Sequence, residues 1–172
     1  MARRLRPVEL DFTRTAPVRL VFAREVAAPP EEVFRALAED VSGWSEWFAA
    51  VTSARAVDGG AGREVRLTGG TRFRETVVAA TPHEVYAYRV DETNAPGIRA
   101  LLEEWRLTPA GTGTRVQWTF TADGSGVFLF LLKRARGGLG RAFTGAVTAL
   151  DRRLAPGGAG PGSVRPHPGR QQ

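Results

Sequence analysis

The stretch Thr114-Arg-Val-Gln-Trp-Thr-Phe-Thr121 alternates strictly, with Val116, Trp118 and Phe120 on one parity and Arg115, Gln117 and Thr119 on the other. Successive side chains of a strand point to opposite faces, so this is a strand with one buried and one wet face. A few residues later the period changes. From Ser125 to Leu154, apolar residues recur at three- and four-residue steps through Phe128, Leu132, Ala135, Leu139, Ala142, Phe143, Ala146 and Leu150. That spacing predicts a helix with one apolar face. Unbroken, it would reach ~45 Å, and Gly137, Gly138 and Gly140 predict a bend near its middle. A half-buried strand running into a long amphipathic helix decides the fold, because each offers the apolar face the other needs.

Upstream, residues 51–123 keep the period of two. Val65 and Leu67 share one face of a strand at 64–68. Phe73, Glu75, Val77 and Ala79 share a face over 71–80, as do Tyr86, Tyr88 and Val90 over 85–91 and Leu101, Glu103, Trp105 and Leu107 over 100–108. Gly-, Pro- and Asn-containing turns separate these strands. Ahead of them, residues 18–26 form a first strand with Leu20 and Phe22 on one side. Pro29 and Pro30 then open a short helix, since proline is tolerated in a first turn, and Glu31 and Glu32 suit its positive end. Trp44, Trp47 and Phe48 lie on one face of a second short helix. The order predicts an α+β domain: a curved antiparallel sheet of about seven strands wrapped around a long C-terminal helix, with two short helices after strand one.

The chain has 172 residues, which suits one domain. Residues 1–16 read as a basic N-terminal extension, 17–154 as the structured domain, and 155–172, rich in Gly, Pro, Ser and Arg, as a disordered tail. The net charge of +6 is uneven: +4 over residues 1–24, −5 over 25–124 and +7 over 125–172. Charge runs of this kind usually belong to solvated faces, and no nucleic-acid-binding module accompanies them. Nucleic acid is therefore not an expected partner, whereas contact with an anionic membrane is one use the basic residues allow. Cys is absent, which excludes disulfides and thiolate chemistry and is compatible with a cytoplasmic location. No signal peptide or membrane-spanning run is expected. His83 falls in a turn and His167 in the tail, so no metal site and no cofactor are expected.

Residues 18–154 resemble the START/polyketide-cyclase superfamily, which has the helix-grip fold. Val26-Ala-Ala-Pro-Pro-Glu-Glu-Val-Phe-Arg-Ala-Leu37 resembles its first strand-to-helix junction, Trp44-Ser-Glu-Trp47 its tryptophan-bearing helix, and the segment from Thr108 to Phe120 its last hairpin. The resemblance implies an internal cavity for a small hydrophobic molecule such as a polyketide, lipid or aromatic metabolite. It leaves open a polyketide cyclase or dehydratase, a lipid or quinone carrier, and a protein-interaction module using the basic C-terminal helix.

Polar residues on the inward parity are the candidates for chemistry. Glu75 and Glu103 share faces with aromatic and aliphatic neighbours, where desolvation would raise their pKa toward that of a general acid or base. The alternative for Glu75 is an ion pair with Arg66 or Arg106. Phe73, Tyr86, Tyr88, Trp105, Trp118, Phe120, Phe128 and Trp47 are the candidate ligand-binding residues, with the tyrosine hydroxyls suited to a carbonyl or enolate oxygen. Phe130 and Leu131 cannot both join the main helix face, so one of them is expected to be exposed.

Overall fold

The computed structural model describes residues 2–156. The chain opens with β1 (Arg3–Arg4), one helical turn α1 (Phe12–Thr15) and β2 (Val18–Val26). Next come α2 (Pro30–Phe34), a π-helical turn (Arg35–Glu39), a 3-10 turn (Val41–Gly43) and α3 (Trp44–Trp47). Six strands follow: β3 (Val51–Val57), β4 (Gly62–Leu67), β5 (Arg72–Thr81), β6 (Val85–Thr93), β7 (Ile98–Ala110) and β8 (Gly113–Gly124). Helices α4 (Gly126–Arg134) and α5 (Arg136–Leu154) end the described chain. Every strand pair is antiparallel, in the order β2-β8-β7-β6-β5-β4-β3, with β1 alongside β6. This is the α+β helix-grip architecture, with β1 as an eighth strand. No helix among the described residues is long and apolar enough to cross a membrane.

The register follows from the parities. Trp118 of β8 faces Trp105 of β7 and Phe22 of β2, and Glu103 of β7 faces Tyr88 of β6 and Phe120 of β8. Those inward residues and α5 bury each other: Phe143, Ala146, Val147 and Leu150 lie in one cluster with Trp44, Trp47, Trp105 and Trp118. Asp151 fixes the helix end by accepting a hydrogen bond from the backbone N–H of Ala27 at 2.8 Å.

The expected single helix is two. The break falls at Ala135 (φ −76°, ψ −3°), ahead of the glycines, which remain helical. Ala135 itself is exposed rather than on the apolar face. The turn re-aims the chain between two packing sites. Leu132 belongs to a cluster with Val18, Leu20 and Ala122, whereas the inward residues of α5 join the main core. The start of α4 is capped by Ser125, whose Oγ accepts from the N–H of Phe128 at 3.2 Å, a standard satisfaction of a first-turn donor. Gly97, at φ +84°, lets Phe128 lie close: a Cβ there would stand 2.8 Å from the Phe128 Cβ.

The N-terminal segment is part of the structure. Pairing of β6 with β7 stops at Arg89 and Leu102. Beyond that point the N–H of Leu5 donates to the Asp91 carbonyl and that of Arg6 to the Arg99 carbonyl, each at 2.8 Å. The segment thus fills the gap where the two strands diverge. Leu5 packs with Val90, Ile98 and Leu101, and Val8 and Phe12 cover Ala100 and Leu102 on the outer face. Its arginines meet acids, Arg4 with Glu92 and Arg6 with Asp123. The tail expected to be disordered lies, from residue 157 on, outside the described residues.

Candidate functional site

A cavity of about 310 Å³ lies between the concave sheet face and helices α4 and α5, at the small end of the ~300–1,000 Å³ usual for ligand pockets. Its walls are apolar: Val65, Leu67 and Phe73 from β4 and β5, Leu101, Trp118 and Phe120 from β7 and β8, and Phe128 and Leu132 from α4. Rim residues Ala50, Leu67, Thr71, Phe128 and Leu139 are half-buried, so the cavity reaches the surface between the β4–β5 hairpin and the α4–α5 junction.

The floor is polar and buried. Arg63 and Glu75 face each other across β4 and β5, and Nε and Nη2 of Arg63 both donate to Glu75 Oε2, at 2.8 and 2.6 Å. Both side chains are 2% exposed. The guanidinium carbon sits 3.8 Å from the Tyr88 ring centroid and 4.4 Å from that of Trp44, a cation between two aromatic faces. Burial pulls the Arg63 pKa down, but the Glu75 carboxylate, with Tyr88 and Tyr86 nearby, more than offsets this and holds it above its ordinary value. Burial pushes the Glu75 carboxyl above its ordinary value, and the charge and hydrogen bonds of Arg63 offset only part of that rise. With two charge-assisted hydrogen bonds, the pair is ionic. Nη1 of Arg63 is buried and makes no hydrogen bond among the described residues.

Beside this pair, Glu103 Oε2 accepts from the Tyr88 hydroxyl at 2.7 Å and from Trp118 Nε1 at 2.9 Å. Trp105 Nε1 in turn donates to the Tyr88 oxygen at 3.0 Å. Burial, reinforced by the charge of Glu75, raises the Glu103 carboxyl to about 7 against three weaker opposing effects. Burial also holds Tyr88 well above its ordinary value, so it remains a phenol that donates. Glu103 thus titrates near neutrality. Glu103 Oε1 takes none of these bonds.

The model of a family described as polyketide cyclase/dehydrase and lipid transport matches residues 17–155. The chain belongs to this family. An uncharacterized protein of Mycobacterium tuberculosis is 30% identical over 117 residues, covering 65% of this chain and 70% of that protein. Among solved structures, XoxI from Bacillus cereus superposes with a TM-score of 0.66 at 17% identity, covering 80% of this chain and 95% of that one. A START superfamily protein from Mycobacterium smegmatis superposes at 0.63 and 13% identity, covering 79% and 96%. The polyketide cyclase/dehydrase and lipid transport family has the helix-grip fold that the element order predicts, a hydrophobic-ligand-binding fold as the resemblance implies.

Of the sequence-predicted residues, Glu75, Glu103, Phe73, Tyr88, Trp118, Phe120 and Phe128 line the cavity of this family member. Tyr86, Trp105 and Trp47 do not. Tyr86 and Trp105 share the inward parity but stand nearer α2 and α3, and Trp47 belongs to α3, where Trp44, Trp47 and Phe48 fill the space: the ring of Trp47 lies 4.8 Å from that of Trp44 and 6.3 Å from that of Trp105. Parity tells which face a residue takes, and only the helices' placement tells which part of that face stays hollow. Arg63 was the residue missed. Starting the strand at 64 left it out, although it lies two positions before Val65 and therefore on the same face. Glu75 pairs with this arginine and not with Arg66 or Arg106, since Arg66 has the opposite parity and is exposed and Arg106 bonds Glu104.

Proposed function

We propose that the cavity binds a small, mostly apolar molecule carrying a carbonyl or enol oxygen, and that Arg63 and Glu103 contact that oxygen. The observation that carries this reading is the buried, unpartnered Nη1 of Arg63, a residue of the polar floor of a cavity with apolar walls. A buried donor without a partner is costly, and an acceptor on the ligand would satisfy it. Glu75 already neutralises the guanidinium, so a neutral carbonyl suits the site better than a carboxylate. Protonated Glu103 would supply a second donor. Two donors in a dry pocket are the arrangement that stabilises a developing oxyanion.

Cyclase or dehydratase chemistry is the finer form of the same reading. On a poly-β-keto chain, these donors would polarise one carbonyl while the walls fold an enol carbon of the same molecule toward it. Glu75 and Glu103 are the acids proposed to serve that chemistry, with Phe73, Tyr88, Trp118, Phe120 and Phe128 shaping the chain. A carrier would need only the binding half. The test titrates matched apolar molecules with and without a ketone and follows tryptophan fluorescence. The ketone should bind at least tenfold more tightly, and Arg63→Met should abolish the difference. Equal binding of the two would remove the anchoring role.

A further inference from the structure

We propose that helix α4 docks the protein on an anionic lipid surface, with the cavity mouth beside the contact. Val127, Phe130 and Leu131 are 71%, 61% and 58% exposed, while Phe128 and Leu132 of the same helix turn inward and line the cavity. A helix that merely closed the cavity would be apolar inside and polar outside. This one is apolar on both sides, and contiguous exposed apolar side chains of this kind mark interaction sites.

The charges around the patch select its partner. Lys133 and Arg134 end α4, Arg136 and Arg141 follow, and no acidic residue occurs between Asp123 and Asp151. The Arg134 guanidinium carbon stands 5.8 Å from the Phe130 ring centroid, so a positive charge borders the apolar patch directly. Across the mouth, Arg66 and Arg72 face each other on the β4–β5 hairpin. Like charges placed opposite one another destabilise a sheet. Both side chains are exposed, and neither forms an ion pair among the described residues. The fold gives no use for this pair, whereas an anionic surface does. An apolar face set among basic residues is the pattern of interfacial helices, whose apolar side chains enter the acyl boundary while the cations meet headgroups. Three side chains on one short helix fall short of the ~800 Å² per partner of a stable protein interface, which favours lipid over a second protein. The inference goes beyond ligand binding and does not depend on what the cavity holds.

Vesicle flotation tests it, using phosphatidylcholine with and without phosphatidylglycerol. The protein should float with the anionic vesicles, release as salt rises, and stay behind with the neutral ones. The double substitution F130E/L131E should lower partitioning more than tenfold, and Lys133→Gln and Arg134→Gln roughly fivefold each. Binding of an apolar dye in the cavity, measured on the same variants, should match the parent chain. A failure of docking is thereby distinguished from a failure of the ligand-binding reading. Equal binding to neutral vesicles, no binding to either, or an F130E/L131E chain that floats like the parent overturns the proposal. So does a concentration-dependent dimer that F130E/L131E dissolves, which would make the patch a protein contact.

Discussion

Arg63 and Glu75 are a charged pair held where water is excluded, and their energetics follow from that. Each charge is tolerable only because the other is there, so removing one strands its partner. Arg63→Met should therefore destabilise the chain by about 3–5 kcal/mol. The double replacement Arg63→Met with Glu75→Leu should recover most of that loss in urea unfolding. If the double variant were as unstable as the single one, the pair would not be the reason for the cost. Glu103 supplies a pH signature. Its carboxyl ionises near 4.5 in an ordinary setting and at about 7 here. Between those values the folded chain keeps a proton that the unfolded chain has lost, so stability falls as pH rises. The contribution is complete below the ordinary value, declines by about 3 kcal/mol in all, and is gone above pH 7. Urea midpoints measured across pH 4–8 should show this slope, and Glu103→Gln, which mimics the protonated acid, should flatten it; an unchanged slope would assign it to other groups. The inward parity of Glu75 and Glu103 was legible in the sequence. Their different partners were not, because pairing depends on cross-strand register, and register is set by bulges and turns that a single strand's pattern does not reveal.

Among the elements, the β series and the two short helices were readable because hydrophobic periodicity reports directly on which face is buried. The N-terminal segment was not readable as packed structure. Its apolar residues Leu5, Val8 and Phe12 fall at helical steps, yet only Phe12–Thr15 is helical, and Leu5 packs in one cluster while Val8 and Phe12 share another. The gap it fills exists only because β6 and β7 diverge, which is a property of the assembled sheet. Since its backbone satisfies the carbonyls of Asp91 and Arg99, its removal would expose a sheet edge as well as apolar surface. Phe12→Ala should cost about 3 kcal/mol, an effect foreign to a dangling extension. Deletion of residues 1–16 should cost more and raise amide exchange selectively over residues 89–102, as hydrogen-exchange mass spectrometry would read. Full-length stability in the deleted chain would show the segment to be dispensable. The helix break at Ala135 has a related origin. The glycines mark where a bend is cheap, but the direction of two separate packing clusters decides where it occurs.

At the scale of the whole molecule, one sheet face does two jobs, and the boundary between them lies across its strands. Near α2 and α3 that face is filled: Trp105 stacks on Trp118 with ring centroids 5.6 Å apart, and Trp44 meets Trp105 edge-on at 5.6 Å. Toward α4 the same strands line the cavity, with Arg63, Tyr88 and Glu103 at its floor. The packed half supplies the rigidity that holds those polar groups in place, so ligand binding and folding should be separable by substitution at the hollow end. Ala142 is the position for this, because it lines the cavity from α5 and is only half-buried. Ala142→Phe would place a ring in the free volume while the rim side allows some relaxation. The unliganded chain should change stability by no more than ~2 kcal/mol. A ligand present at a hundred times its dissociation constant stabilises a folded protein by about 2.7 kcal/mol, which in a domain of this size is a rise of roughly 5–10 °C in Tm. The parent chain should show that rise with an apolar ketone, and Ala142→Phe should show almost none. A variant that shifts as far as the parent would put the ligand somewhere other than this cavity. A variant that loses its apo stability would mean that the hollow end also supports the fold.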